Sequence, residues 1–240
     1  MRRTITSLGL ALILASGVPG VASADPPEET LQKLEQALES LADPAQVQAY
    51  TLTTVARHAK PNGKDAHDEK VVARIEVTGE GQTESEVLEQ LHDGEPVSEE
   101  DREKAEQDRK EKREEQGEEG FALEFKGPFG EDRQHYVFGD TTEKGGLHVA
   151  TIEPAPGARV DGLSTGKLAW DPETGDPAWI EFTPVEYPQF VQALSNRLEL
   201  GRLSGVLVMK RLVTDGQGGI PGMKRVFHME VTTSDVQPAP

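Results

Sequence analysis

The chain has 240 residues, no cysteine and a formal net charge of −18, which excludes disulfides, a thiol nucleophile and a lipid-modified N-terminal cysteine. An acidic excess of this size also disfavours nucleic acid and anionic membrane surfaces, which carry the same sign. Aromatic residues are only 5%, and 24 glycines with 16 prolines point to many turns.

Arg2 and Arg3 form a positive start, Leu8 to Val18 an apolar run, and Ala22-Ser23-Ala24 a small-x-small cleavage box. This three-part pattern reads as a secretory signal peptide cut between Ala24 and Asp25. The apolar run is shorter than the roughly 20 residues of a membrane span, and no later stretch approaches that length. Cleavage leaves 216 residues with a charge of −20, enough for one domain with a real core. The expected location is the periplasm or the outside of the cell, as a soluble protein.

Leu31, Leu34, Leu38 and Leu41 recur at helical spacing and predict an amphipathic helix from about Pro27 to Ala42. Asp43-Pro44 ends it, because proline disfavours helical geometry in the residue before it. From there the period changes to two. Val71, Ala73, Ile75 and Val77 share one parity, as do Phe121, Leu123 and Phe125, then Leu194, Leu198 and Leu200, then Phe227, Met229 and Val231. Each set reads as a strand with one face in a core and one in water.

Pro61-Asn62-Gly63-Lys64 and Asp171-Pro172-Glu173-Thr174-Gly175 are turn signals between strand-like runs, and Gly216 to Gly219 separates the last two. Short connections without helices make neighbouring strands antiparallel. Ser98 to Glu119 departs from this pattern, with eleven acidic and six basic residues and Ala105 as its one aliphatic. It reads as a solvated charged helix capped by Ser98 with Asp101 three residues on. Residues 25–235 form a single domain, with 98–119 as a helical excursion and 236–240 as a disordered tail.

Candidate chemistry is sparse. HExxH and phosphate-loop patterns are both missing. With 43 carboxylates in the chain, a carboxylate pair carries no information. His58 and His67 flank the Asn62-Gly63 turn near Asp65, Asp68 and Glu69, a loose arrangement without compact ligand spacing, so they read as exposed loop histidines. Trp170 and Trp179 straddle the Asp171–Gly175 turn, either as a stacking platform or as cross-strand packing. The chain is therefore expected not to be an enzyme, and no catalytic residue, metal or cofactor is assigned.

Four passages in order carry a resemblance to a known superfamily. These are the signal peptide with its following helix, Leu91-His92-Asp93-Gly94-Glu95-Pro96-Val97-Ser98-Glu99-Glu100, Gly166-Lys167-Leu168-Ala169-Trp170-Asp171-Pro172-Glu173-Thr174-Gly175-Asp176-Pro177, and the closing Phe227-His228-Met229-Glu230-Val231-Thr232-Thr233-Ser234-Asp235. Together they resemble the outer-membrane lipoprotein localisation, or LolA/LolB-like, superfamily. The resemblance implies a curved, half-open antiparallel sheet whose concave side is covered by helices, in proteins that carry acyl chains, bind glycolipids or sense envelope stress. On that basis the chain is expected to be a non-enzymatic periplasmic binding or carrier protein for a lipid-like ligand. The alternative is a protein-interaction or envelope-sensing module with an envelope protein as partner. Val71, Ile75, Phe121, Leu123 and Phe125 are the candidates to line an apolar cavity, unless they pack against the Leu31–Leu41 helix instead.

Overall fold

The computed structural model describes residues 25–39, 47–78, 82–101, 127–187, 190–220 and 223–239. The signal peptide, most of the charged segment and the Phe121–Phe125 run lie outside them. One helix, α1 (Glu28–Glu39), precedes twelve strands, all paired antiparallel. The first four are β1 (Val47–Ala59), β2 (His67–Thr78), β3 (Gln82–His92) and the two-residue β4 (Glu95–Pro96). A short 3-10 turn, Gly130–His135, leads into β5 (Tyr136–Phe138), β6 (Thr142–Lys144), β7 (Leu147–Pro154), β8 (Ser164–Trp170) and β9 (Pro177–Pro184). The chain finishes with three long strands, β10 (Val191–Leu203), β11 (Val206–Gly218) and β12 (Arg225–Pro238).

The strand order is β4-β3-β2-β1-β12-β11-β10-β9-β8-β7-β5, with β6 also paired to β7. The path ends at β4 and β5, and no pairing joins these ends among the described residues, so the sheet is not closed into a barrel. This is the mostly antiparallel, half-open sheet with an N-terminal helix that the sequence predicts. The first and last long strands meet in its middle, β1 against β12.

Local chemistry sets the turns. Asp171 Oδ1 accepts the amides of Glu173 (2.7 Å) and Thr174 (3.0 Å), which folds the β8–β9 connection as an Asx turn. Ser204-Gly205 and Asp93-Gly94 both have positive φ at two successive residues, the backbone of the two-residue hairpin loops that match strand twist. Ser98 caps the start of the charged segment as expected: its Oγ accepts the Asp101 amide at 3.2 Å and donates to Asp101 Oδ2 at 2.6 Å.

The core has two parts. Leu31 and Leu34 of α1 pack on Leu168, Trp170, Ile180, Leu198 and Leu200, with Tyr136, Ala150 and Ile152 closing the cluster. The Tyr136 hydroxyl accepts the Ser164 amide at 3.1 Å, tying β5 to β8. Lys33 extends the helix contact by donating to the Thr174 carbonyl (2.7 Å). A second cluster joins Val47, Tyr50, Val208 and Val236, with Leu52 and Ile75 against it. The disordered tail expected from residue 236 is corrected here. Strand β12 continues to Pro238, and Val236 is buried because the start of β1 packs on it.

Candidate functional site

Register places one row of residues across eight strands. Val71, Thr54, Val231, Leu212, Leu198, Ile180, Leu168 and Ala150 stand successively opposite one another from β2 to β7. Directly opposed residues share a face, so this row and α1 lie on the same side of the sheet. The adjacent row on the other side runs Lys70, Val55, Glu230, Val213, Arg197, Glu181, Lys167 and Thr151. One face is thus mostly apolar and the other carries the charged residues, as period-two alternation requires.

Burial along the apolar row is graded. Ala150 and Leu168 are 0% exposed, Ile180 1% and Leu198 5%. Leu212, Val231, Thr54 and Val71 are only half-buried. The gradient follows the cover: α1 packs over β9 and β11, Tyr136 and Leu163 join the same cluster, and Leu212 lies at its margin. Beyond it the same face presents Val71, Val231, Ala73, Met229 and Phe227 without a covering element among the described residues.

The charged face carries a ladder. Arg197 bonds Glu181 on β9 and Glu199 on its own strand, and its guanidinium lies 4.6 Å from the centre of the Trp179 ring. Arg211 reaches Glu230 at 2.7 Å and Glu199 at 3.9 Å. The hydrogen bond from Arg211 holds the Glu230 carboxyl below its ordinary pKa. On this face, toward the turn end of β1, lies a cleft of about 690 Å³. Ala59, Ala193 and Val226 form its floor, and Arg57, Lys60, Tyr187 and the His228–Asp215 pair (2.8 Å) surround it.

Of the cavity residues predicted from sequence, Val71 stands in the open part of the apolar row and Ile75 joins the second core cluster. Phe121, Leu123 and Phe125 are outside the described residues. The tryptophan pair forms no platform. Trp170 is 2% exposed and edge-on to His148, whereas Trp179 lies on the charged face under Arg197. Register sets this arrangement: Trp170 shares the face of Leu168 and Ile180, whereas Trp179 stands opposite Ala169 on the other face. His67 does not gather with Asp65, which pairs with Lys60; it meets His92 and Asp93 from the next hairpin. The Asp93-Gly94 hairpin signal beside His92 was the clue available in the sequence.

No family model matches the chain, and no curated protein matches it. Among solved structures it is similar to a LolA superfamily protein from Nitrosomonas europaea, at 10% identity over 90% of this chain and 96% of that one, with a TM-score of 0.37. It is also similar to a DUF1329 family protein from Desulfovibrio piger, at 10% identity over 90% and 94%, with a TM-score of 0.33. A third likeness is to the MucA/MucB complex of Pseudomonas aeruginosa, at 9% identity over 88% and 99%, with a TM-score of 0.22. Among the described residues no helix is long and apolar enough to cross a membrane.

Proposed function

We propose that this chain is an exported, non-enzymatic binding protein that carries an apolar, lipid-like ligand on the part of the apolar face that α1 leaves open. The observation that carries this reading is the burial gradient along one row: 0–5% exposed from Ala150 to Leu198 within the covered cluster, half-buried from Leu212 at its margin to Val71 beyond it. An acyl chain laid across Val231 and Val71 gains about 0.8 kcal/mol per buried CH₂, so about ten buried methylenes supply roughly 8 kcal/mol before the cost of association.

A fluorescent fatty acid titrated into the full chain tests it. Saturable binding is expected, weakened by Val231→Trp and Val71→Trp, which add bulk to the open row. Ala193→Trp, which fills the cleft on the charged face, is expected to leave binding unchanged. An absence of saturable binding, or loss only in Ala193→Trp, overturns the reading.

A second reading rests on a different observation. From Glu84 to Glu89, β3 has a strand neighbour on one side only among the described residues, and Val87 and Leu88 are 42% and 53% exposed. Such an edge accepts a strand from a partner protein. A photo-crosslinking residue placed at Leu88, irradiated in the native envelope, would yield a protein adduct under this reading and none under the first.

A further inference from the structure

We propose that His67, His92 and Asp93 form a binding site for a zinc-like divalent ion at the free end of the β2–β3 pair. His67 opens β2, His92 closes β3, and Asp93 is the first residue of the tight turn into β4. His67 Nδ1 lies 3.0 Å from Asp93 Oδ2, and His92 Nε2 lies 3.6 Å from the same oxygen. The three ligand atoms are all within 4.8 Å of one another. Zinc bound at about 2.0–2.1 Å in tetrahedral geometry needs ligand atoms roughly 3.3 Å apart, so the ion enters this triangle with small rotamer adjustments. The imidazole planes are nearly parallel, 12° apart at 5.8 Å, and both edges face the carboxylate.

The carboxylate is already held in place. Asp93 Oδ1 accepts the Asp68 amide at 2.8 Å, and the Asp93 amide donates to the Asp68 carbonyl at 2.7 Å. Oδ2 is left to face the two rings. On the far side of His92, Glu69 Oε1 is 3.9 Å from Nδ1. A carboxylate hydrogen-bonded behind a ligating imidazole fixes its tautomer and orientation; Glu69 would take that positioning role by closing about 1 Å on Nδ1. Two imidazoles with one carboxylate suit a borderline metal such as Zn²⁺ rather than Ca²⁺ or Mg²⁺, which take oxygen ligands. Three protein ligands leave a fourth position for water or for a donor from outside the chain.

The full chain is titrated with ZnCl₂ alone by calorimetry in a non-chelating buffer at neutral pH, and with Co²⁺ by visible absorption. One saturable ion per chain is expected, with an intense tetrahedral Co²⁺ spectrum and no displacement by excess Mg²⁺ or Ca²⁺. His67→Ala, His92→Ala and Asp93→Asn are each expected to weaken binding about tenfold or more. Glu69→Gln is expected to weaken it while keeping the tetrahedral Co²⁺ spectrum. His228→Ala, whose histidine sits with Asp215 on the charged face, is expected to bind as the parent does. The substituted side chains are exposed, and circular dichroism checks that each variant folds. Displacement by Ca²⁺, unchanged binding in both His67→Ala and His92→Ala, or loss only in His228→Ala overturns the site.

Discussion

Lys33 of α1 lies 3.3 Å from Asp176, just before β9, and the same carboxylate receives two hydrogen bonds from Arg202, at 2.8 and 3.2 Å. A helix docked by two leucines is thereby also fastened by charge to the hairpin beneath it. Arg202 first, then Lys33, hold the Asp176 carboxyl below its ordinary pKa, against the opposing effect of desolvation.

Asp176→Asn is expected to lower stability at neutral pH by about 1–2 kcal/mol, the range for charge-assisted bonds at a partly covered site. The sign in pH follows from the depressed carboxyl. The contribution is fully present above the unfolded pKa of about 3.8 and is lost as pH falls through the lower folded value. Urea unfolding of both proteins across that window should show the difference shrinking toward acid. A difference that stays constant with pH would mean that the charge plays no part.

Leu34 is 0% exposed beneath α1. Leu34→Ala should cost roughly 2–5 kcal/mol in chemical denaturation. A cost under about 0.5 kcal/mol, the usual range for surface positions, would show that the helix is not docked where its leucines meet Leu168 and Ile180.

The ladder on the charged face should matter far less. Arg211 and Glu230 side chains are 41% and 31% exposed, and solvent screens ion pairs of that exposure. Arg211→Gln is expected to lower stability only slightly, with the difference diminishing in high salt. A larger, salt-independent loss would indicate packing of the guanidinium rather than charge.

Gly166 faces Phe182 across the β8–β9 pair, and a Cβ there would come within 1.9 Å of the Glu181 carbonyl oxygen. Backbone cannot yield as a flexible side chain can. Gly166→Ala should destabilise by about 1–3 kcal/mol or more through overpacking, read as a lower melting temperature. Gly63→Ala is a contrast: open space surrounds the site, and only the positive φ of 75° opposes the change.

The faces of the strands were legible because burial imposes parity. Val71, Leu198, Phe227, Met229 and Val231 all lie on the side that alternation assigns to the core, and Asp171–Gly175 turns where its side-chain chemistry says it must. Strand order was not legible. Nothing local to Val47–Ala59 says that its second neighbour is Arg225–Pro238, since such pairing is a long-range outcome of how the chain buries its faces. Single-residue irregularities were equally hidden. The bulge between Ala169 and Trp170 brings Pro177 rather than Ala178 opposite Trp170, and no period in the sequence marks it. At the candidate sites, Val71 was readable as an apolar strand residue. The meeting of His67 with His92 depends on the registry of two hairpins, which neither histidine's own neighbours specify.

The central seam joins residues 47–59 to residues 226–238 over eleven register pairs. Everything from β2 to β11 is synthesised between its two sides, so β1 has no permanent partner on that flank until the last long strand exists. Until then it offers an unfilled edge along its length, and closure of the seam brings together segments separated by most of the chain. Such topology folds slowly and late. A polypeptide interrupted before residue 225 would contain most of the strands and still lack the one that unites its two halves.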